Sequence, residues 1–244
     1  MDRAGQHAWL RAMGIAPWLP RRATAPVKES TAARAPDVPA PAVEAPVSAG
    51  ADVAGMDWQQ LDVEVAGCQA CPLCEGRTQT VFGVGRHDAR LMVVGEAPGA
   101  EEDRRGEPFV GRAGRLLDSM LFAMGYPRVE VFIANVVKCR PPGNRDPAPE
   151  EVAACRPYLD RQIAMVAPEL IIAVGRVAAQ RLLGTDRPLK ALRGQFSEYT
   201  APGLAQPVPV LVTYHPAYLL RSPGDKRKAW EDLKLAMRSL GDGR

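Results

Sequence analysis

The sequence predicts a three-layer α/β/α fold around a central, mostly parallel sheet of four strands. Three observations lead there. Four short, largely apolar runs (Leu91–Val94, Val131–Val137, Leu170–Val174 and Val208–Tyr214) lack the apolar–polar alternation of half-exposed strands and read as strands covered on both faces. Segments with apolar residues at helical spacing lie between and after them, over 115–125, 149–166, 176–183 and 226–240. Each strand is thus followed by a helix, which carries the chain back so that the next strand pairs in parallel.

In order along the chain, residues 1–22 form a short apolar motif. Trp9, Leu10 and Met13 recur at helical spacing, Gly14 can end that turn, and Ile15, Trp18 and Leu19 continue the apolar set. Residues 23–55 are rich in Ala and Pro, cannot bury enough apolar surface to order themselves, and read as a semi-extended linker. Residues 56–244 make up the folded domain. A helix starts at Trp58 and leads to Cys68, and 80–85 is extended and turn-rich. The first strand runs into Gly95-Glu96-Ala97-Pro98-Gly99 and then an acidic triplet, Glu101-Glu102-Asp103. The second carries Asn135 near its carboxyl end. Pro149-Glu150-Glu151 is a suitable helix start, with proline in the first turn and carboxylates facing the positive end of the dipole. The third strand ends at Gly175, and the fourth delivers His215.

The chain has 244 residues, 46% hydrophobic and 24% charged, enough for one domain with a substantial core. No apolar run reaches the roughly 18 residues of a membrane span, and the first residues lack the apolar stretch of a signal peptide, so a cytoplasmic monomer is expected. Net charge is +3, but residues 1–34 hold six basic and two acidic side chains, +4, which leaves the rest near −1. Bulk charge therefore gives no argument for binding nucleic acid, and any such argument rests on local groups.

Of five cysteines, Cys68 and Cys71 form a Cys-x2-Cys pair, while Cys139 and Cys155 stand far downstream with fifteen residues between them. A zinc ribbon shows a second close pair, and this chain does not. Two thiolates from one segment and two from distant ones suit a four-cysteine iron–sulfur cluster, with zinc as the alternative. Cys74 is the fifth, a spare thiol or a substitute ligand.

The loops at the strand ends carry the chemistry, where parallel sheets build their sites. Gly95-Glu96-Ala97-Pro98-Gly99 is followed by Gly106-Glu107-Pro108-Phe109-Val110-Gly111-Arg112-Ala113-Gly114, then by Asn135-Val136-Val137-Lys138-Cys139-Arg140-Pro141-Pro142-Gly143-Asn144-Arg145, and finally by Thr213-Tyr214-His215-Pro216-Ala217. In this order and spacing the motifs closely resemble the family 4 uracil-DNA glycosylases, the iron–sulfur branch of that superfamily, from about Cys68 to about Leu235. The resemblance implies that superfamily's α/β fold and flipping of uracil out of DNA. It also implies hydrolysis of the N-glycosidic bond without strand cleavage, and a [4Fe–4S] cluster on Cys68, Cys71, Cys139 and Cys155.

The same resemblance implies roles for single residues. Phe109 stacks on the flipped base. Asn135 reads its edge, offering a donor and an acceptor side by side, which suits uracil O4 and N3–H and not cytosine. Neutral His215 donates to the oxyanion developing at O2. Gly95 and Ala97 border the base. Glu96, Glu102 and Asp103 are candidates to orient the attacking water, with Glu102 preferred and Glu96 in the site wall. Leu219 or Leu220 could wedge into the gap the base leaves, and Arg221 can reach phosphate. Taken singly, each has a plainer reading: a turn asparagine, a core phenylalanine, a satisfied core histidine. A glycosylase for another deaminated base and a non-catalytic iron–sulfur DNA-binding factor are the competing functions.

Residues 9–22 resemble the short N-terminal peptide of the psi subunit of the bacterial DNA polymerase III clamp loader. Leu10, Met13-Gly14-Ile15, Trp18 and Arg21-Arg22 stand at matching positions. The resemblance implies docking on the chi subunit, with Leu10, Met13, Ile15 and Trp18 as apolar anchors.

Overall fold

The computed structural model describes residues 53–241. The partner motif with Leu10, Met13, Ile15 and Trp18, and the linker up to residue 52, lie outside them. The domain begins earlier than residue 56, because Val53 is buried in the core and its carbonyl accepts from Met56 N–H.

In chain order the elements are α1 (Trp58–Gly67), α2 (Leu73–Gly76), β1 (Val84–Gly85), β2 (Leu91–Gly95), α3 (Ala100–Arg105), α4 (Arg112–Met124), β3 (Phe132–Asn135), α5 (Pro149–Val166), β4 (Leu170–Val174), α6 (Arg176–Leu183), α7 (Leu189–Leu192), β5 (Phe196–Tyr199), β6 (Val208–Thr213), α8 (Pro216–Arg221) and α9 (Lys226–Ser239). No helix among the described residues is long and apolar enough to cross a membrane.

The sheet has six strands in the order β1-β3-β2-β4-β6-β5, not four. The four expected strands form its parallel centre, and β1 and β5 add antiparallel edges. The edges escape the apolar-run criterion for physical reasons. β1 is two residues long and ends on Gly85, and β5 reads Phe-Ser-Glu-Tyr with Phe196 exposed. Short, polar strands are how sheets blunt their open edges.

Side chains of the central strands alternate between two apolar layers. Met92, Val94, Phe132, Ile171 and Val210 pack with Leu61 and Val65 of α1 and Leu159 and Ile163 of α5. Leu91, Val93, Ile133, Ile172 and Leu211 pack with Leu117 and Leu121 of α4 and Leu233 and Ala236 of α9. With both faces covered, the strands need no polar positions, which is why they read as apolar runs.

Register then positions the site. Gly95 at the end of β2 pairs with Asn135 at the end of β3, and β4 pairs in parallel with β6, which ends at Thr213 two residues before His215. The chain leaves β2 toward β3 on one side, while β4 leads to β6 on the other. The crevice at this reversal lies beyond the carboxyl ends of the strands, where doubly wound sheets bind ligands.

Candidate active site

A cleft of about 480 Å³ opens at that reversal. It is lined by Glu96, Ala97, Glu102, Phe109, Asn135 and His215 among others. A larger groove of about 1140 Å³ borders Ala89, Arg90, Gly125 and Tyr126, which precede β2 and β3; it lies at the amino ends of the strands and gathers none of the strand-end motifs.

Close backbone approach builds the floor. A Cβ on Gly95 would stand 2.4 Å from Asn135 Oδ1 and 2.5 Å from Phe109 Cζ, so only glycine leaves room for both side chains. A Cβ on Gly114 would meet Phe109 O at 1.7 Å, so glycine also lets the start of α4 lie against the loop that presents the ring. That loop is strained, with Phe109 at φ +55°. It is held from two sides. Arg128 donates to Pro108 O at 2.6 Å and to Phe109 O at 3.4 Å, and Glu102 Oε1 accepts from Val110 N–H at 3.0 Å and Gly111 N–H at 3.2 Å.

Asn135 is 2% exposed, and its Oδ1 has no hydrogen-bond partner. Leaving a buried amide oxygen unpartnered costs roughly 1–3 kcal/mol. The Phe109 and His215 rings lie 5.7 Å apart at 31°. His215 Nδ1 accepts from Ala217 N–H at 3.1 Å. Burial, aided by the Arg221 charge, lowers the imidazole pKa to about 4. The ring is therefore neutral with its proton on Nε2, a donor and not a cation.

The three acidic candidates separate. Asp103 is buried and accepts from Thr78 N–H at 2.9 Å and Thr78 Oγ1–H at 2.7 Å, a structural tie. Glu102 lines the cleft with Oε1 committed to the Phe109 loop, and Glu96 lines the same cleft. Burial, reinforced by the Asp146 carboxylate and opposed by Arg176, raises Glu96 to about 7. Asp146 is itself paired with Arg176 at 2.6 Å.

Of the two expected wedges, Leu219 is 1% exposed, packed inside, and cannot reach DNA; Leu220 is exposed. Arg221 lines the cleft.

All five cysteines line one cavity beneath α1 and α5, together with Arg77, Lys138 and Tyr158. Arg77 Nη1 donates to Cys139 Sγ at 3.2 Å, Lys138 N–H to Cys155 Sγ at 3.2 Å, and Ala70 N–H to Cys68 Sγ at 3.5 Å. Burial pushes the Cys155 thiol up to about 12 and also raises Cys139 and Cys71, so as free groups they stay protonated. Among the described residues, no three His, Cys, Asp or Glu side chains are grouped so as to hold a metal ion.

Sequence reasoning missed Lys138. It is buried, and its Nζ donates to Asn135 O at 3.0 Å and Gln162 Oε1 at 2.6 Å. Burial lowers its pKa to about 8. One residue thus links the Asn135 end of β3 to the cysteine cavity. Inside an apolar strand-end motif, only its charge hinted at a specific role.

The model of the uracil DNA glycosylase superfamily matches residues 82–234. The chain is similar to the type-4 uracil-DNA glycosylase of Pyrobaculum aerophilum, 43% identical over 184 residues, which cover 74% of this chain and 93% of the relative. It is 44% identical over 172 residues to that of Thermotoga maritima, covering 69% of this chain and 87% of the relative. A type-5 enzyme of Pyrobaculum aerophilum is more distant, 35% identical over 150 residues, with 55% of this chain and 64% of the relative covered.

Proposed function

The chain belongs to the uracil DNA glycosylase superfamily, and we propose that it removes uracil from DNA by hydrolysing the N1–C1′ bond, leaving an abasic site. The observation that carries this reading is the buried, unpartnered Oδ1 of Asn135, set beside the Phe109 and His215 rings. An amide there accepts from uracil N3–H and donates to O4. Cytosine, with an unprotonated N3 and an amino group at C4, leaves both groups mismatched.

Uracil extruded from the stack lies against Phe109 and leaves the sugar facing Glu96. The Glu96 carboxylate takes a proton from water as its oxygen bonds to C1′. The C1′–N1 electron pair leaves with the base, and charge gathers at O2, where His215 Nε2–H donates. Neutral His215 suits this role because it stabilises the anion without a protonation step. Glu102 serves the reaction indirectly by holding the strained Phe109 loop. Uracil release from a uracil-containing oligonucleotide tests the reading. Wild type should free uracil and not cytosine, and Asn135→Asp, which loses the donor to O4, should lose uracil removal or its discrimination. Wild-type selectivity in that variant would remove Asn135 from the site.

We further propose that Cys68, Cys71, Cys139 and Cys155 hold a [4Fe–4S] cluster. Five thiols around one cavity and three N–H donors aimed at sulfur fit thiolate ligands. Each of the four cysteines would supply one thiolate to the cluster from this shared cavity. The cluster would supply a rigid cross-link between the segment before β1 and the start of α5. We also propose a monomer in the cytoplasm, at the nucleoid, with exposed Leu220 and cleft-lining Arg221 facing DNA. Recruitment to the chi subunit through residues 9–22 would raise the local enzyme concentration at replication forks.

A further inference from the structure

Beside His215 the cleft has an aromatic wall that uracil recognition does not use. Tyr218 lines the cleft, and its ring is stacked on Tyr214, with centroids 5.2 Å apart at 15°. The Arg193 guanidinium lies 4.9 Å from the centroid of the Tyr214 ring. Arg193 is fixed in turn: Nε donates to Asp232 Oδ2 at 3.1 Å, and Nη2 donates to Asp232 Oδ1 at 2.8 Å and to Lys228 O at 2.6 Å. Asp232 is 1% exposed and also accepts from Thr213 Oγ1–H at 2.8 Å, at the end of β6. At the far end of the ring, Tyr218 Oη–H donates to Asp225 Oδ2 at 2.6 Å. A ring backed by another ring, itself backed by an anchored guanidinium and tied at its hydroxyl, has lost its rotamer freedom before any ligand arrives.

Such a wall exceeds what core packing needs, because Tyr218 is only partly buried and faces the cleft. Arg221 lies three residues on, on the same side of α8, and lines the same cleft. A pre-set aromatic face beside a cation is how proteins hold an unpaired nucleotide, with the ring on the base and the cation on the phosphate. Flipping a nucleotide strips its neighbour of a stacking partner, and in single-stranded DNA no complementary base holds that neighbour in place.

We propose that Tyr218, backed by Tyr214 and Arg193, is a second base-binding subsite that stacks the unpaired base adjacent to the flipped uracil in single-stranded DNA. The subsite rests on the uracil-glycosylase reading, since the flipped base defines the neighbour. It selects no particular base, because every base has a π face. It favours single strands, in which the neighbouring base is free to leave its own stack.

The test is fluorescence anisotropy with single-stranded oligonucleotides containing one uracil, in which the nucleotide on its 5′ or its 3′ side is either normal or an abasic spacer. Uracil release is followed on the same molecules. Wild type should bind roughly 5- to 150-fold more weakly when the base on one side is removed, the range expected for one base–aromatic stack. Tyr218→Ala should bind the normal oligonucleotide as weakly as the spacer and lose nothing further on the spacer. Tyr218→Phe, which keeps the ring and drops the Asp225 bond, should retain the dependence. Wild-type indifference to spacers on both sides, or full dependence in Tyr218→Ala, overturns the subsite. Spacer-sensitive binding without uracil release would overturn the glycosylase reading and with it the subsite as a neighbour of flipped uracil, leaving only a base-stacking site, whereas uracil release without spacer sensitivity would overturn the subsite alone.

Discussion

The pH dependence of uracil release should report on Glu96. Its carboxyl is raised to about 7 by burial first and by Asp146 second, with Arg176 pulling the other way. If it accepts the proton of the attacking water, only its ionised form works. A carboxyl at about 7 is roughly 9% ionised at pH 6, half at pH 7 and 91% at pH 8, so the rate at subsaturating DNA should climb roughly tenfold between pH 6 and 8. His215 at about 4 is neutral across that range and adds no limb. Asp146→Asn removes a like charge and frees Arg176 to act on Glu96, and both effects lower the pKa. Because Asp146 and Arg176 are largely exposed, screening limits their influence, and the limb should move toward acid by roughly half to one pH unit. The assay is single-turnover release at constant ionic strength from pH 5 to 9. Glu96→Gln should lower the rate by about 10²–10⁴ and flatten the profile. A flat wild-type profile, or a slope that survives in Glu96→Gln, would refute the assignment.

His215→Ala should slow single-turnover release by roughly 10²–10³, the scale of one oxyanion donor, and wild-type rates would exclude the residue. Protein purified without oxygen should be brown and carry about four irons, and Cys155→Ser should lose iron and visible absorbance; stoichiometric zinc without iron would overturn the cluster. Chi should bind the full chain in a calorimetric titration and not a form starting at residue 53, whereas no binding by the full chain, or equal binding by both, would end the recruitment proposal.

Local pattern alone determined much of this protein. A strand buried on both faces has to be a short apolar run, and the loops closing such strands have to carry glycine, proline and the polar groups that act. For that reason β2, β3, β4 and β6 were legible, whereas the roles expected of Asn135, at the end of β3, and of His215, beyond β6, came from the family resemblance of the motifs that carry them. Helix α5 was legible from its Pro-Glu-Glu start and apolar spacing. What depended on partners distant in sequence was not. β1 and β5 are strands only because β3 and β6 offer them open edges. Neighbouring leucines separate when α8 packs, since Leu219 turns inward and Leu220 outward. Glu96 and Glu102 look alike in the sequence and both line the cleft, yet Glu96 lies near Asp146 while Glu102 is tied to the Phe109 loop. Lys138 owes its place to Gln162, and the Tyr218 wall owes its rigidity to an Arg193–Asp232 pair that spans 39 residues. Periodicity records which face a residue turns to the core. Only the folded chain decides which distant groups share that face, and those neighbours set hydrogen bonding, charge and strain.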